Sequence, residues 1–339
     1  MGAQVEAALA EASSGVGGTF GSTPPGADLP RAGAATIRRV PTGFALAEIV
    51  TSNGWAGLPP ASYEPGAGVL HRTLTPPEAG PLTVSVRQVR GVVVASWGRT
   101  TGTPGDRAAI AATIGHMLSV DDDLSDLYDA CDAVPGFEWV RRSGRGRLLR
   151  SPTVWEDAVR TLATTNTSWS RTRALLDRLV DGLGPTGPAG ERAFPDAAAV
   201  AAAGVGFLRD VVRAGYRAEP LERFAASVAS GRIDVESWLD RERPDDQVRA
   251  EISALAGFGP FATDGLMALL GRPRGLTLDA WAARQVGELC GQPGPADEAA
   301  AAARYRPFGR WAGTVCWLEI TRREPAPTVP TQGEPTEGD

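Results

Sequence analysis

The hydrophobic pattern of this chain changes once, near Asp106, and that change limits the folds open to it. Before Asp106, short β-prone runs are separated by Gly, Pro and Asn, which is typical of strands joined by turns. After Asp106, apolar residues recur every three or four positions, as on the buried faces of helices. The sequence therefore predicts a mainly α protein of the α+β class, in which a small N-terminal antiparallel β layer precedes an all-helical domain of roughly 215 residues.

Four runs in the first part are predicted to be strands. The run over 82–89 alternates most clearly, with apolar residues at 82, 84, 86 and 89 and polar residues between them. Such alternation places the apolar side chains on one buried face of a sheet. The predicted strands are 44–50, 69–74, 82–89 and 92–97.

The second part is predicted to be helical throughout. Its helices show recognisable ends, such as the N-cap offered by Ser151-Pro152-Thr153, with Pro at the first turn, and the stop at Gly184-Pro185. The predicted helices are 106–118, 121–132, 154–163, 168–183, 196–203, 205–214, 217–229, 234–240, 245–255, 261–270, 279–290 and, in pieces, 297–320.

The two ends of the chain differ from its middle in composition. Residues 1–35 are rich in Gly, Ala, Ser and Pro, and residues 324–339 in Pro, Glu and Thr, so both are predicted to be disordered tails, the second one acidic. Between them we expect a β-rich domain over 36–105 and a helical domain over 106–323. No apolar run approaches the ~20 residues of a membrane span, and no signal peptide is evident. We therefore expect a cytoplasmic monomer without a membrane partner.

Two residue types limit the chemistry. The three cysteines, Cys131, Cys290 and Cys316, are odd in number and widely spaced, which argues against a disulfide framework, a zinc site and an iron–sulfur cluster. All 34 residues of the Lys-plus-Arg class are Arg. Without lysine, no side-chain amine can form a Schiff base with a sugar aldehyde, and only the α-amine of Met1 is available.

The charge of the chain is unevenly distributed. The net charge of −6 argues at face value against a nucleic-acid partner. Ten acidic residues, however, lie in two short segments, six aspartates within 121–132 and four carboxylates from Glu324 onward, and without them the net charge becomes +4. Five arginines fall within 141–150, so the sequence allows a basic face.

A tight connection joins two predicted helices at Gly257-Phe258-Gly259-Pro260. Glycine permits positive φ and a close approach to the backbone, and Pro260 suits the first turn of the second helix. The free N–H groups of such a helix start can bind an anion such as a phosphate. The same pattern also fits an ordinary turn between two helices, and the sequence alone leaves both interpretations open.

Asp279 lies 20 residues after Gly259, as a lone carboxylate in an otherwise apolar run at the predicted start of a helix. It is either a functional carboxylate or a helix N-cap, and the two roles are compatible.

Together these features resemble the hairpin and catalytic aspartate of the helix-hairpin-helix (HhH-GPD) DNA glycosylase superfamily, chiefly its bacterial 3-methyladenine glycosylase II and 8-oxoguanine glycosylase branches. The small β layer is also similar to the N-terminal domain of both branches. Three further stretches agree with the family in order and spacing, and with them the resemblance covers residues 36 to 322. They are Gly215-Tyr216-Arg217-Ala218, the stretch from 151 to 166, and the closing helix from Tyr305 to Trp317.

The resemblance implies a base-excision repair enzyme that bends double-stranded DNA, pushes a damaged nucleotide out and holds its base in a pocket. Asp279 would stabilise positive charge on the deoxyribose as the glycosidic bond breaks. Gly257, Phe258, Gly259 and Phe261 would contact the DNA. Thr165 and Asn166 would fill the gap in the base stack, and backbone carbonyls at the hairpin would hold a structural Na⁺ or K⁺. Those carbonyls belong to Ser253, Leu255 and Phe258.

Two departures from the family bear on the reaction and the substrate. Phe261 stands where bifunctional relatives carry their lysine, so strand cleavage through a Schiff base is excluded and the enzyme is expected to be monofunctional. Gly313 stands where readers of oxidised guanine place a glutamine. Trp317 and Phe261 match aromatic positions of the alkyl-base enzymes, and an aromatic pocket suits a cationic alkylpurine. We therefore expect an alkylated purine as the substrate.

Three alternatives remain. The protein could be an 8-oxoguanine glycosylase without lyase activity, or a damaged-DNA-binding protein without catalysis. Trp317 could belong to the core instead of a pocket, and core packing is the favoured role for Tyr216. The protein is expected at the nucleoid in each case.

Overall fold

The computed structural model describes residues 34–41, 43–89, 91–98 and 103–322. Apart from Ala34 and Ala35, the two predicted tails lie outside these ranges. Among the described residues, no helix is long and apolar enough to cross a membrane.

The N-terminal part is a five-stranded antiparallel sheet in the order β1-β5-β4-β3-β2. The prediction of a small antiparallel layer is confirmed, with two strands at their predicted bounds. The edge strands β1 and β2 were not predicted, because β2 has only four residues and β1 follows a stretch of small residues without alternation. The strands are β1 (Ala34–Arg39), β2 (Ala61–Glu64), β3 (Val69–Leu74), β4 (Leu82–Val89) and β5 (Val92–Ser96).

The strand predicted over 44–50 is wrong, because Leu46–Val50 is a helix, α1. Its buried residues Leu46, Ile49 and Val50 are spaced by three and four, which is the helical period. Gln88 of β4 holds the start of α1, accepting a hydrogen bond from the Leu46 N–H at 2.8 Å and donating one to the Phe44 carbonyl at 3.0 Å. Ala47 and Glu48 also favour a helix, and Gln88 supplies the cap that the start of this helix does not provide itself.

The rest of the described chain is helical, as predicted. Most predicted helix bounds agree with the structure within four residues. The short helix Trp139–Ser143 was not predicted. Where two helices were expected over 196–214, one helix runs from Ala197 to Asp210 and is kinked at Gly204, which has φ 73°. Short 3₁₀ helices occupy Trp55–Gly57, Gly215–Arg217, Glu236–Leu239 and Arg306–Trp311. The α-helices after α1 are α2 (Pro104–Met117), α3 (Ser125–Asp132), α4 (Trp139–Ser143), α5 (Val154–Ala163), α6 (Trp169–Leu183), α7 (Ala197–Asp210), α8 (Ala218–Ala229), α9 (Asp245–Ser253), α10 (Pro260–Leu269), α11 (Ala280–Leu289), α12 (Glu298–Tyr305) and α13 (Ala312–Ile320).

Two clusters of buried residues form the interior. One runs from the sheet through α10 and ends at Leu270, and the other is built from α3, α4 and α11 to α13. The segment 271–279 passes from the first cluster to the second, against which Leu276 and Leu278 pack. Asp279 therefore lies at the end of the segment that joins the two clusters. The domain boundary near residue 105 stays a prediction, since the sheet and the helices up to α10 share one cluster.

A buried ionic network fastens the sheet to α5. Arg72 of β3 pairs with Glu156, which also pairs with Arg160 at 2.6 Å, and each of these side chains is at most 3% exposed. Arg160 donates to the carbonyls of Trp55 and Pro59, both at 3.0 Å. Because unpaired buried charges are costly, these partners hold the 55–59 segment and the sheet in one position on α5.

Asp157 lies in the same buried region. Its carboxylate accepts hydrogen bonds from the indole N–H of Trp55 at 2.7 Å and the backbone N–H of Ser151 at 2.9 Å. Burial raises the pKa of Asp157 to about 6, against the effect of these hydrogen bonds and of the Arg160 charge.

We expect the Asp157→Asn variant to change how stability depends on pH. A carboxyl whose pKa is raised by folding stabilises the native state below its unfolded pKa and loses that contribution as pH rises through the folded pKa. The free energy of unfolding of wild type minus that of the variant should therefore fall by about 2 kcal/mol between pH 4 and pH 7. Urea titrations across this range measure the difference, and a rise instead would mean that Arg160 holds Asp157 ionised.

Candidate active site

The predicted hairpin is formed by α9 and α10. Gly257 adopts φ 90°, and a Cβ at this position would lie 2.5 Å from the side chain of Leu162. Both the backbone conformation and the close packing therefore require glycine at 257. Gly259 has an ordinary φ of −69° and caps α10 without a side-chain hydrogen bond.

The hairpin is anchored by Phe258 and open at Gly259. The ring of Phe258 is buried and meets Phe224 at 6.0 Å, and Phe224 stacks on Trp155 at 5.2 Å. Only the backbone of Phe258 can therefore contribute to the DNA contact predicted for it. A Cβ at Gly259 would meet nothing within 4 Å, so a phosphate has room to approach the start of α10.

Asp264 of α10 holds the segment 271–279 in place. It is 2% exposed, pairs with Arg249, and accepts a hydrogen bond from the Thr277 hydroxyl at 2.6 Å. Gly275 lies so close to this carboxylate that a Cβ there would collide with it. Sequence reasoning missed Asp264, although a single charged residue between Phe261 and Leu270 in an apolar helix was a usable signal.

Asp279 is at the N-terminus of α11, in the N-cap position. Its side chain is partly exposed and accepts a hydrogen bond from the Ala282 N–H at 2.8 Å. The alternative of a helix cap is therefore correct as a structural description, and it fixes the orientation of the carboxylate.

Arg274 occupies the space between the two predicted pocket rings. Its guanidinium carbon lies 5.4 Å from the ring centre of Phe261 and 5.0 Å from that of Trp317. Arg274 is 8% exposed. Burial lowers the pKa of Arg274, against the opposing effect of the negative charges of Asp264 and Asp279. Sequence reasoning missed Arg274, because nothing in the sequence distinguishes it from the other 33 arginines.

Trp317 lies at the wall of a recess. Its ring is 6% exposed and its indole N–H donates to the Ser52 carbonyl at 3.3 Å. Trp317 and Arg274 together line a cavity of about 540 Å³ and a narrow cleft of about 20 Å³. Cavities that hold small ligands measure roughly 300–1,000 Å³, so only the larger of these two is of that size. The pocket and core roles of Trp317 are therefore compatible, since its buried ring also lines a cavity.

Gly313 lies where α13 touches the segment 271–279. A Cβ at this position would collide with the carbonyl oxygen of Gly275 and lie 2.6 Å from that of Arg274. The structure therefore leaves no room for a glutamine or any other side chain at 313. The residue allows a close helix-to-loop contact and does not line either of the two cavities beside Arg274.

Thr165 and Asn166 form an exposed tip with Tyr216. The Tyr216 hydroxyl lies 3.2 Å from the Thr165 hydroxyl and 3.5 Å from the Asn166 amide nitrogen, and Asn166 has φ 45°. Arg217 stacks on the Tyr216 ring at 4.5 Å and donates to the Thr165 carbonyl. The core role favoured for Tyr216 is wrong, because the side chain is 58% exposed.

The hairpin carbonyls that were predicted to hold a monovalent cation still have lone pairs that could coordinate it. The Leu255 carbonyl accepts a hydrogen bond from the Phe258 N–H at 3.1 Å, and the Phe258 carbonyl accepts one from the Thr263 hydroxyl at 3.3 Å. Each carbonyl oxygen has a second lone pair. The role of these carbonyls, and of the Ser253 carbonyl, stays a prediction.

We expect Gly313→Ala to destabilise the protein by about 1–3 kcal/mol, because the added methyl group must push α13 away from the 271–279 segment. Thermal and urea unfolding measure the change. Gly206→Ala is the matched control, since Gly206 also lies in a helix and a Cβ there would meet nothing within 4 Å. Equal stability of the two variants would show that the contact at Gly313 is not tight.

No family model and no curated protein match the sequence. Among solved structures, a 3-methyladenine DNA glycosylase from Archaeoglobus fulgidus matches with a TM-score of 0.62 and 17% identity, over 85% of this chain and 97% of that one. An 8-oxoguanine glycosylase/lyase from Clostridium acetobutylicum matches with 0.62 and 16%, over 82% and 93%. MBOgg1, solved with a low-affinity DNA ligand, matches with 0.61 and 20%, over 82% and 91%. The chain therefore has the fold of helix-hairpin-helix DNA glycosylases.

Proposed function

We propose that this protein is a monofunctional DNA glycosylase, which hydrolyses the N-glycosidic bond of a damaged base in double-stranded DNA. The observation that carries the proposal is the position of Asp279. This carboxylate is held by the N-terminus of α11, at the end of the segment that joins the two buried clusters, and Asp264 fastens that segment to the second helix of the hairpin. The fold shared with glycosylases of two lesion classes supports the same function.

Asp279 acts on the sugar in the proposed mechanism. Breaking the glycosidic bond leaves positive charge on the deoxyribose ring, and a fixed carboxylate next to that ring lowers the energy of the transition state. The cap hydrogen bond to Ala282 keeps the carboxylate in place without reorganisation during the reaction. The same carboxylate orients the water that attacks the sugar.

Two parts of the surface hold the DNA. The uncapped start of α10 at Gly259 binds a backbone phosphate through its N–H groups. The tip formed by Thr165, Asn166 and Tyr216 fills the space that the extruded nucleotide leaves in the base stack. An exposed tyrosine ring braced by Arg217 suits stacking against a base.

The damaged base is the finer part of the proposal. On the sequence alone, the ring pair Phe261 and Trp317 favours an alkylated purine, but in the structure Arg274 already lies against both rings. An 8-oxoguanine glycosylase without lyase activity is the second candidate, and the observation that favours it is the guanidinium of Arg274 between those rings. A binding protein without catalysis is the third, and loss of function in a variant of Asp279 distinguishes it from both enzymes.

We expect Asp279→Asn to release bases about 100- to 1,000-fold more slowly than wild type, because the amide cannot neutralise the charge on the sugar. Single-turnover excision from damaged duplexes measures this rate. Duplex affinity and melting temperature should stay unchanged, since the asparagine oxygen can still accept the cap hydrogen bond.

Asp297→Asn is the matched control for Asp279→Asn. Asp297 is another N-cap carboxylate, which accepts a hydrogen bond from the Ala300 N–H at 2.7 Å on the exposed start of α12. This variant should excise bases at the wild-type rate. If Asp279→Asn is as active as this control, Asp279 is not the catalytic residue.

We expect borohydride to trap no covalent adduct between the enzyme and damaged DNA through any side chain. A Schiff base needs an unprotonated amine, and the sequence contains no lysine. Denaturing gels of borohydride-treated reactions test this, with the DNA strand left intact after base release. A trapped adduct that maps anywhere except Met1 would contradict the monofunctional assignment.

A further inference from the structure

The cavity beside Trp317 and Arg274 contains one arginine with no carboxylate in ion-pair contact. Five arginines line this cavity, which measures about 540 Å³. Within the part of the chain that the structure describes, all of them except Arg274 form ion pairs. The pairs are Arg150 and Arg241 with Asp122, Arg272 with Asp245, and Arg310 with Asp126.

Arg274 is also without a hydrogen-bond acceptor. Its backbone N–H donates to the Thr314 hydroxyl at 3.4 Å, but no described residue accepts a hydrogen bond from its guanidinium. The side chain is nonetheless more than nine-tenths buried. Buried polar groups in native proteins nearly always have partners, and a guanidinium carries five donors. Such a group at a cavity wall therefore indicates a ligand that supplies acceptors.

The position of Arg274 is fixed by its neighbours. Arg272 donates to the carbonyls of Trp238 and Asp240 and pairs with Asp245. Gly275, on the other side, is held against the Asp264 carboxylate. The guanidinium is therefore presented to the cavity by a segment anchored on both sides, which is how a group that recognises a ligand must be held.

The same position disfavours a second cation. The π faces of Phe261 and Trp317 attract positive charge, and Arg274 already lies against both rings at 5.4 and 5.0 Å. A base carrying its own positive charge would have to enter next to this guanidinium. The negative charges of Asp264 and Asp279 act on Arg274, but neither carboxylate is in ion-pair contact with it, so a like charge close by is still repelled. A neutral base with carbonyl or ring-nitrogen acceptors would instead receive hydrogen bonds from it.

We propose, building on the proposed glycosylase function, that Arg274 is a specificity residue that selects extruded bases that are neutral and rich in hydrogen-bond acceptors and disfavours cationic alkylpurines. Oxidised and deaminated purines have this chemistry. The aromatic pair then positions the guanidinium, and Arg274 presents its donors to the base.

The test compares wild type with Arg274→Gln on three duplexes of identical sequence. One carries 7-methylguanine, which is cationic in the nucleotide, and the others carry 8-oxoguanine and hypoxanthine, which are neutral. Single-turnover excision rates are measured on each. Wild type should prefer a neutral lesion. Removing the charged donors should slow excision of that lesion by about 10- to 100-fold, without a loss on 7-methylguanine.

Arg322→Gln is the matched control, because Arg322 also stacks on a tryptophan, at 4.8 Å from the ring of Trp139, outside the candidate site. It should leave all three rates unchanged. The melting temperature and the affinity for an undamaged duplex show whether each variant is folded. A further variant, Arg274→Lys, keeps the positive charge and should keep 7-methylguanine a poor substrate.

The outcomes separate the two proposals. Two results overturn the role of Arg274 and leave the glycosylase function intact. In one, wild type excises 7-methylguanine faster than both neutral lesions. In the other, Arg274→Gln keeps the wild-type ratio between the rate on the preferred neutral lesion and the rate on 7-methylguanine. Release of no base from any of the three duplexes, or from DNA treated with a methylating agent, overturns the glycosylase function itself.

Discussion

The ion pairs between Arg72, Glu156 and Arg160 are the interaction on which the arrangement of this protein depends. They lie between a strand of the sheet and α5, where removal of one partner would leave a buried charge unpaired. Arg160 also holds the carbonyls of Trp55 and Pro59. Ser52, just before this segment, accepts the indole hydrogen bond of Trp317. The network therefore fixes the position of the sheet relative to the cavity that Trp317 lines.

The candidate site is built on one short segment. Residues 271–279 leave the first buried cluster and enter the second, and along the way they present Arg274 to the recess and Asp279 to the start of α11. Asp264 fixes the middle of the segment, and the close contact at Gly313 fixes it against α13. The proposed catalytic carboxylate and the proposed base-reading group are thus held in a constant relation by packing, which is what electrostatic preorganisation requires.

The sequence predicted the helical elements and the order of the two layers well, because a 3.6-residue period over a long stretch is a strong local signal. It failed where a distant contact decided the outcome. Gln88 caps the short helix that begins at Leu46, and the hydroxyl of Tyr216 bonds to Thr165 on an exposed tip where core packing had been expected. Neither contact leaves a trace in the local pattern.

For the candidate site, the sequence by itself determined the chemistry that is available: a lone carboxylate at Asp279, a glycine hairpin, aromatic residues at 261 and 317, and no lysine for covalent catalysis. Only the tertiary structure decided what lies between those aromatic rings. Arg274 is one of 34 arginines in the sequence. It becomes distinct only because folding brings α10, α13 and the 271–279 segment together and buries its guanidinium between two rings without an acceptor. Local sequence cannot encode such a juxtaposition, since it arises from residues more than 50 positions apart.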